Sequence, residues 1–90
     1  MIQVSLGYAW PDTVHELSLT EMLIEQATEA ARQERVLAIH VRLGRQGCVT
    51  AEALQHCFEI ARQETALAEA RLEIELVAGD DFHLVALEVE

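Results

Sequence analysis

The residues best suited to chemistry stand together in VHELSL, Val14 to Leu19, where His15 is followed directly by Glu16. An imidazole nitrogen and a carboxylate oxygen are both ligands for divalent transition ions. One of each makes half of a metal site and holds such an ion weakly. The competing reading is structural: an exposed histidine ahead of a helix, and a glutamate where the positive end of the helix dipole favours it. On residue types alone, the structural account is the ordinary one.

No second constellation competes. His40 shares the outer face of a strand with Arg42, His56 sits beside Cys57 on a helix, and His83 follows the final turn; all three read as surface residues. His56 has Glu52 and Glu59 at i,i+4 and i,i+3 spacing, a pair of low value. Cys48 and Cys57 form neither a C-x-x-C motif nor a disulfide framework. Cys57 lies among apolar residues and is expected in the core, with Cys48 a loop thiol. Ser5 and Ser18 belong to a strand and a helix cap. There is no Gly-rich phosphate loop and no H-E-x-x-H. Glu73 and Glu75 lie on a solvated strand face, so no enzyme is expected.

The elements that must position His15 and Glu16 follow from periodicity. Ile2, Val4, Leu6, Tyr8 and Trp10 alternate with Gln3, Ser5, Gly7 and Ala9, which predicts a strand that WPD stops. Ser18 and Glu21 have capping-box spacing, so a first helix is predicted from Ser18 to about Arg35. Its apolar stripe is Leu19, Met22, Leu23, Ala27, Ala30 and Ala31, opposite a face of acids. VLAIHVRL predicts a strand with Leu37, Ile39, Val41 and Leu43 inward and Val36, Ala38, His40 and Arg42 outward. After the turn GRQG, Thr50 is a suitable N-cap for a second helix with the stripe Leu54, Cys57, Phe58 and Ala61. ARLEIELV predicts a strand with Leu72, Ile74 and Leu76 on one face. AGDD then predicts a tight turn into a last strand with Val85, Leu87 and Val89 inward.

The order β–α–β–α–β–β predicts an α+β fold, a small mixed sheet of three to four strands with two helices packed on one face. The unit from 36 to 77 should be a right-handed crossover and the last two strands an antiparallel hairpin. Residues 1–13 read as an N-terminal extension whose strand closes the domain's own sheet edge, adds to a partner's sheet or crosses to a second copy as a homodimer. Tyr8 and Trp10 suit such an interface.

Composition bounds the function. Ninety residues allow one small domain, and a hydrophobic share of 51% excludes the disordered class. Six arginines, no lysine and sixteen acids give a net charge of −10, which disfavours nucleic acid as a partner. Apolar runs such as LVAL are too short for a membrane span, and the N-terminus does not read as a signal peptide. A cytoplasmic location is expected.

Five segments, taken in order, resemble the HypA/HybF family of nickel metallochaperones, which serve hydrogenase and urease maturation. They are HELSL entering a helix, VRLG at a strand end, VTAEAL with CFE in the second helix, TALAEARLEI leading into the next strand, and LEVE. The resemblance covers roughly 14–90 and implies a HypA-like nickel-binding domain. It implies nickel as cargo, His15 and Glu16 as metal residues, and a hydrogenase large subunit or maturation GTPase as partner. Two departures stand out. The family carries a zinc domain of two C-x-x-C pairs between its last two strands, whereas AGDD joins Val77 to Phe82 here and no cysteine follows Cys57. Zinc is therefore not expected. In the family, His-Glu directly follows the initiator methionine, and the free amine, the next amide and the imidazole chelate nickel. Here Val14 holds that place with thirteen residues before it, so its nitrogen is an amide. The resemblance leaves two functions open: a nickel metallochaperone-like accessory protein, or a HypA-derived, metal-free interaction or scaffold subunit of a hydrogenase-related assembly.

Overall fold

The computed structural model describes residues 2–8, 16–32, 34–47 and 49–90. The elements are β1 Ile2–Tyr8, α1 Glu16–Ala31, β2 Val36–Gly44, α2 Ala51–Ala61, β3 Arg71–Val77 and β4 Phe82–Val89. The expected order is observed, and Trp10, predicted to continue the first strand, lies outside the described residues. The strands form one mixed sheet in the order β1-β4-β2-β3. β2 pairs parallel with β3 and antiparallel with β4, while β1 pairs antiparallel with β4 of its own chain.

Both helices cover one face of this sheet. Leu19, Leu23, Ala27 and Ala31 of α1 and Leu54 and Phe58 of α2 share a single core cluster with Ile39, Val41, Leu43, Leu72, Phe82, Leu84 and Leu87. Burying that apolar surface is the main term favouring the fold. Cys57, expected in this core, is only half-buried, because α2 turns Leu54 and Phe58 inward and leaves Cys57 on the flank.

The last two strands do not form the expected hairpin. β2 lies between them, so residues 78–81 cross over its end. Three backbone bonds hold the crossing: Gly44 N–H to Asp81 O at 2.7 Å, Arg45 N–H to Val77 O at 2.9 Å, and Gln46 N–H to Gly79 O at 2.9 Å. Gly79 adopts φ 97°, a conformation glycine reaches without steric cost. A Cβ on Gly44 would sit 2.4 Å from the Gly79 carbonyl oxygen. The local signal of AGDD for a turn was sound, but a turn does not specify which strands it joins.

Two bulges alter the expected faces. Val36 and Ala38 oppose the consecutive residues Val89 and Glu88, so Leu37 is an extra residue on β2. It is 36% exposed, and Val36 takes the buried place. On β4, Leu84 and Ala86 oppose the consecutive Val41 and His40, which makes Val85 the extra residue. Phe82, Leu84 and Leu87 face the core, with Val89 partly buried against it, while Val85 leaves it. Strict alternation fails wherever one residue is inserted into a ladder.

The first helix also differs at both ends. It begins at Glu16, so Ser18 lies inside it and the Ser18–Glu21 capping box, which needs serine just outside the first turn, does not form. It stops at Ala31, where Arg32 turns to φ 51° and Glu34 N–H donates to Ala31 O at 3.1 Å. Arg35 is needed elsewhere: its carbonyl accepts the Glu90 amide at 3.0 Å and its guanidinium pairs with Glu69 and Glu90. Within α1, Thr20 and Ile24 are buried, whereas Met22 is 39% exposed.

Gly44→Ala should lower stability by about 1–3 kcal/mol, because the methyl group meets backbone rather than a movable side chain. Urea unfolding checks this: the midpoint falls at unchanged slope. An unchanged midpoint would mean that the crossing has room to spare.

Candidate functional site

His15 lies outside the described residues. Glu16 is the first residue of α1, and its side chain also lies outside the described part. The site is therefore built from the helix beneath the pair. Leu19 and Leu23, at 2% and 0% exposure, pin the first described turns of α1 to the core. Thr20 is buried beside them, and Glu21, Glu25 and Glu29 form the exposed acidic face. A carboxylate in the first turn of such a helix meets the positive end of its dipole, as does a deprotonated donor.

α2 packs beside α1 and starts where the sequence placed it. Thr50 has φ −86° and ψ 160°, and its Oγ1 accepts the Ala53 N–H at 3.1 Å. Glu52 lies in the first turn. His56 is exposed between Glu52 and Glu59.

The sheet face away from the helices is polar. His40 Nε2 lies 2.7 Å from Glu88 Oε2, and Arg71 Nη2 reaches the same oxygen at 3.2 Å. Arg71 Nε also donates to Glu73 at 3.2 Å, and Arg42 Nε to Glu75 at 2.8 Å. His40, Arg42, Glu73, Glu75, Val85 and Ala86 line a shallow depression of about 360 Å³. Glu73 and Glu75 are exposed, as the sequence suggested, but His40 is half-buried and paired. His83, 46% exposed, sits 3.9 Å from Asp81. Sequence reasoning missed Glu88 as the partner of His40, because β4 was placed beside β3 rather than β2.

Among the described residues, no group of three or more His, Cys, Asp or Glu side chains is arranged to hold a metal ion. The outer face pairs its acids with arginines, an arrangement that neutralises charge and leaves few free ligands. Among the described residues, no helix is long and apolar enough to cross a membrane.

Residues 14–81 match a family model described as "Hydrogenase/urease nickel incorporation, metallochaperone, hypA". The chain is 38% identical over 66 residues to the hydrogenase maturation factor HypA of Geobacter metallireducens, covering 73% of this chain and 60% of that protein. It is 45% identical over 67 residues to the hydrogenase maturation factor HypA of a Roseiflexus species, covering 71% of this chain and 54% of that protein. The solution structure of the nickel metallochaperone HypA from Helicobacter pylori superposes with a TM-score of 0.65 at 25% identity, covering 71% of this chain and 58% of that one. The chain thus spans about 54–60% of the length of these proteins.

Leu19→Ala should cost about 2–5 kcal/mol by opening a cavity under the first turns of α1. Urea unfolding measures the loss, and amide exchange should quicken first within residues 19–23. Uniform exchange across α1 and α2 would show that α1 does not open as a separate unit.

Proposed function

The chain belongs to the HypA family, and from that premise we propose that it is a nickel metallochaperone-like accessory protein in the maturation of a nickel–iron hydrogenase or a urease. One observation carries the reading: the family match runs over residues 14–81, so it takes in His15 and Glu16 together with α1, β2, α2 and β3. The family model describes a metallochaperone and the relatives are hydrogenase maturation factors, not enzymes.

Nickel is cargo in this reading. His15 supplies imidazole Nδ1 and its own backbone amide, and Glu16 supplies a carboxylate at the head of α1. Borderline ions such as nickel accept this mixed nitrogen and oxygen donor set. The amide contributes only when deprotonated, so binding should tighten as pH rises. On this reading zinc is not expected, which the short link of residues 78–81 between β3 and β4 supports. The domain spans residues 14–90, with 1–13 as an extension that adds a strand. The protein acts in the cytoplasm, and its partner is a hydrogenase large subunit or a maturation GTPase. A homodimer through the N-terminal strand would have to use the edge of β1 that β4 leaves open.

A second reading is favoured by a different observation. β1 is annealed to β4, so the chain ahead of His15 is tied into the sheet and Val14 offers an amide rather than a free amine. On that reading the protein is a HypA-derived, metal-free interaction or scaffold subunit. Calorimetric nickel titration separates the two. The chaperone reading expects the 90-residue chain to bind nickel and His15→Ala to lose about tenfold or more in affinity, as removal of a ligand should. Binding confined to a chain that starts Met-His15, with residues 1–14 removed, would overturn it in favour of the scaffold.

A further inference from the structure

Among the described residues β3 is one of the two edge strands of the sheet, and α2 leans over it. Gln55 Nε2 donates to the Leu72 carbonyl at 2.6 Å, and Arg62 Nη1 donates to the Ala70 carbonyl at 2.6 Å. Both carbonyls therefore point away from β2. The Val77 carbonyl points the other way, accepting the Arg45 amide from the β2 side. Alternation along the strand then turns the amides and carbonyls of Ile74 and Leu76 outward. No described strand covers them, and Leu76 is 44% exposed. The outward carbonyls of Ala70, just before β3, and of Leu72 are thus occupied by Arg62, the C-cap of α2, and by Gln55 within it, and the second half of the strand is open.

A depression of about 560 Å³ runs between this open edge and α2, lined by Glu52, Gln55, His56, Glu59, Leu72 and Ile74. Its floor is apolar and its helical wall carries two exposed carboxylates, Glu52 and Glu59. These acids stand at i and i+7 with His56 between them, so they face the groove two turns apart. An open edge beside a groove of this kind is the arrangement in which an extended chain adds as a strand, with main-chain bonds for affinity and alternate side chains for selection.

We propose that the groove between α2 and β3 takes an extended basic segment of a partner protein, added as a fifth strand along Ile74 and Leu76. Alternate side chains of the segment face α2, where lysine or arginine reaches Glu52 and Glu59 while its stem lies over Ile74. Charge selects this occupant over a second copy of the chain. β3 carries Glu73 and Glu75, and the chain has a net charge of −10, so self-pairing would set acid against acid. The surface is independent of His15 and Glu16, and its test involves no nickel.

The probe is an acetylated, amidated peptide of about ten residues with alternating lysine and valine, titrated into the full chain and followed by amide resonances. The shifts should centre on Ile74, Leu76 and His56, and the Ile74 and Leu76 amides should exchange more slowly. Glu52→Gln and Glu59→Gln should each weaken binding about two- to fivefold. Leu76→Pro removes an outward amide, which an edge strand tolerates, and should weaken binding about tenfold or more while the rest of the spectrum stays folded. Equal binding of the glutamate–valine counterpart would overturn the proposal. So would shifts confined to the His40 and Arg42 face, or protection of Ile74 and Leu76 by self-association without peptide.

Discussion

The main chain of Gly79 rests on Gly44, and the rest of the fold depends on that contact. β2 sits between a parallel neighbour and an antiparallel one, so the link from β3 to β4 has to cross the end of β2 at close range. Only a residue without Cβ lets the two backbones come together there. Three main-chain hydrogen bonds then replace the ladder that a hairpin would have formed. With the crossing in place, β2 is paired along both edges, and its residues Ile39, Val41 and Leu43 become the centre of the core.

The same strand order divides the sheet into two chemically different faces. Toward the helices, leucine, phenylalanine and valine from α1, β2, α2, β3 and β4 close over one another. Away from them, His40 meets Glu88 and Arg42 meets Glu75 across neighbouring strands, while Arg71 reaches Glu73 on its own strand and Glu88 beyond β2. These pairs are half-exposed to exposed, so each contributes little to stability. Their larger effect is on register, since a slip of one residue would turn a strand's charged side chains toward the core. α2 serves both regions: Leu54 and Phe58 bind it to the core, while Gln55 and Arg62 reach the carbonyls at the sheet edge.

Membership of the HypA family gives the pair His15–Glu16 its meaning. α1, which begins at Glu16, is buried along one side from Leu19 to Ala31. The strand before it is part of the same sheet. The nickel reading and the scaffold reading thus share every packing contact and differ only in whether an internal amide can serve in place of a terminal amine.

Much was legible in the sequence because it rests on local physics. The order of six elements, the Thr50 cap, the inward faces of Ile39, Val41 and Leu43, and the exposure of Glu73 and Glu75 follow from periodicity and turn chemistry within a few residues. The family was legible too, from five short segments in order. What the sequence could not specify was non-local. AGDD announces a turn but does not say that another strand lies beneath it. The bulges at Leu37 and Val85 exist only through the pairing of β2 with β4, which reverses the faces that alternation assigns to Val36 and Val85. The union of His40 with Glu88 spans forty-eight positions and needs both strands to be neighbours. Side-chain period is set by each strand's own backbone, whereas strand order is set by which apolar faces can be buried together; only the folded chain resolves the second.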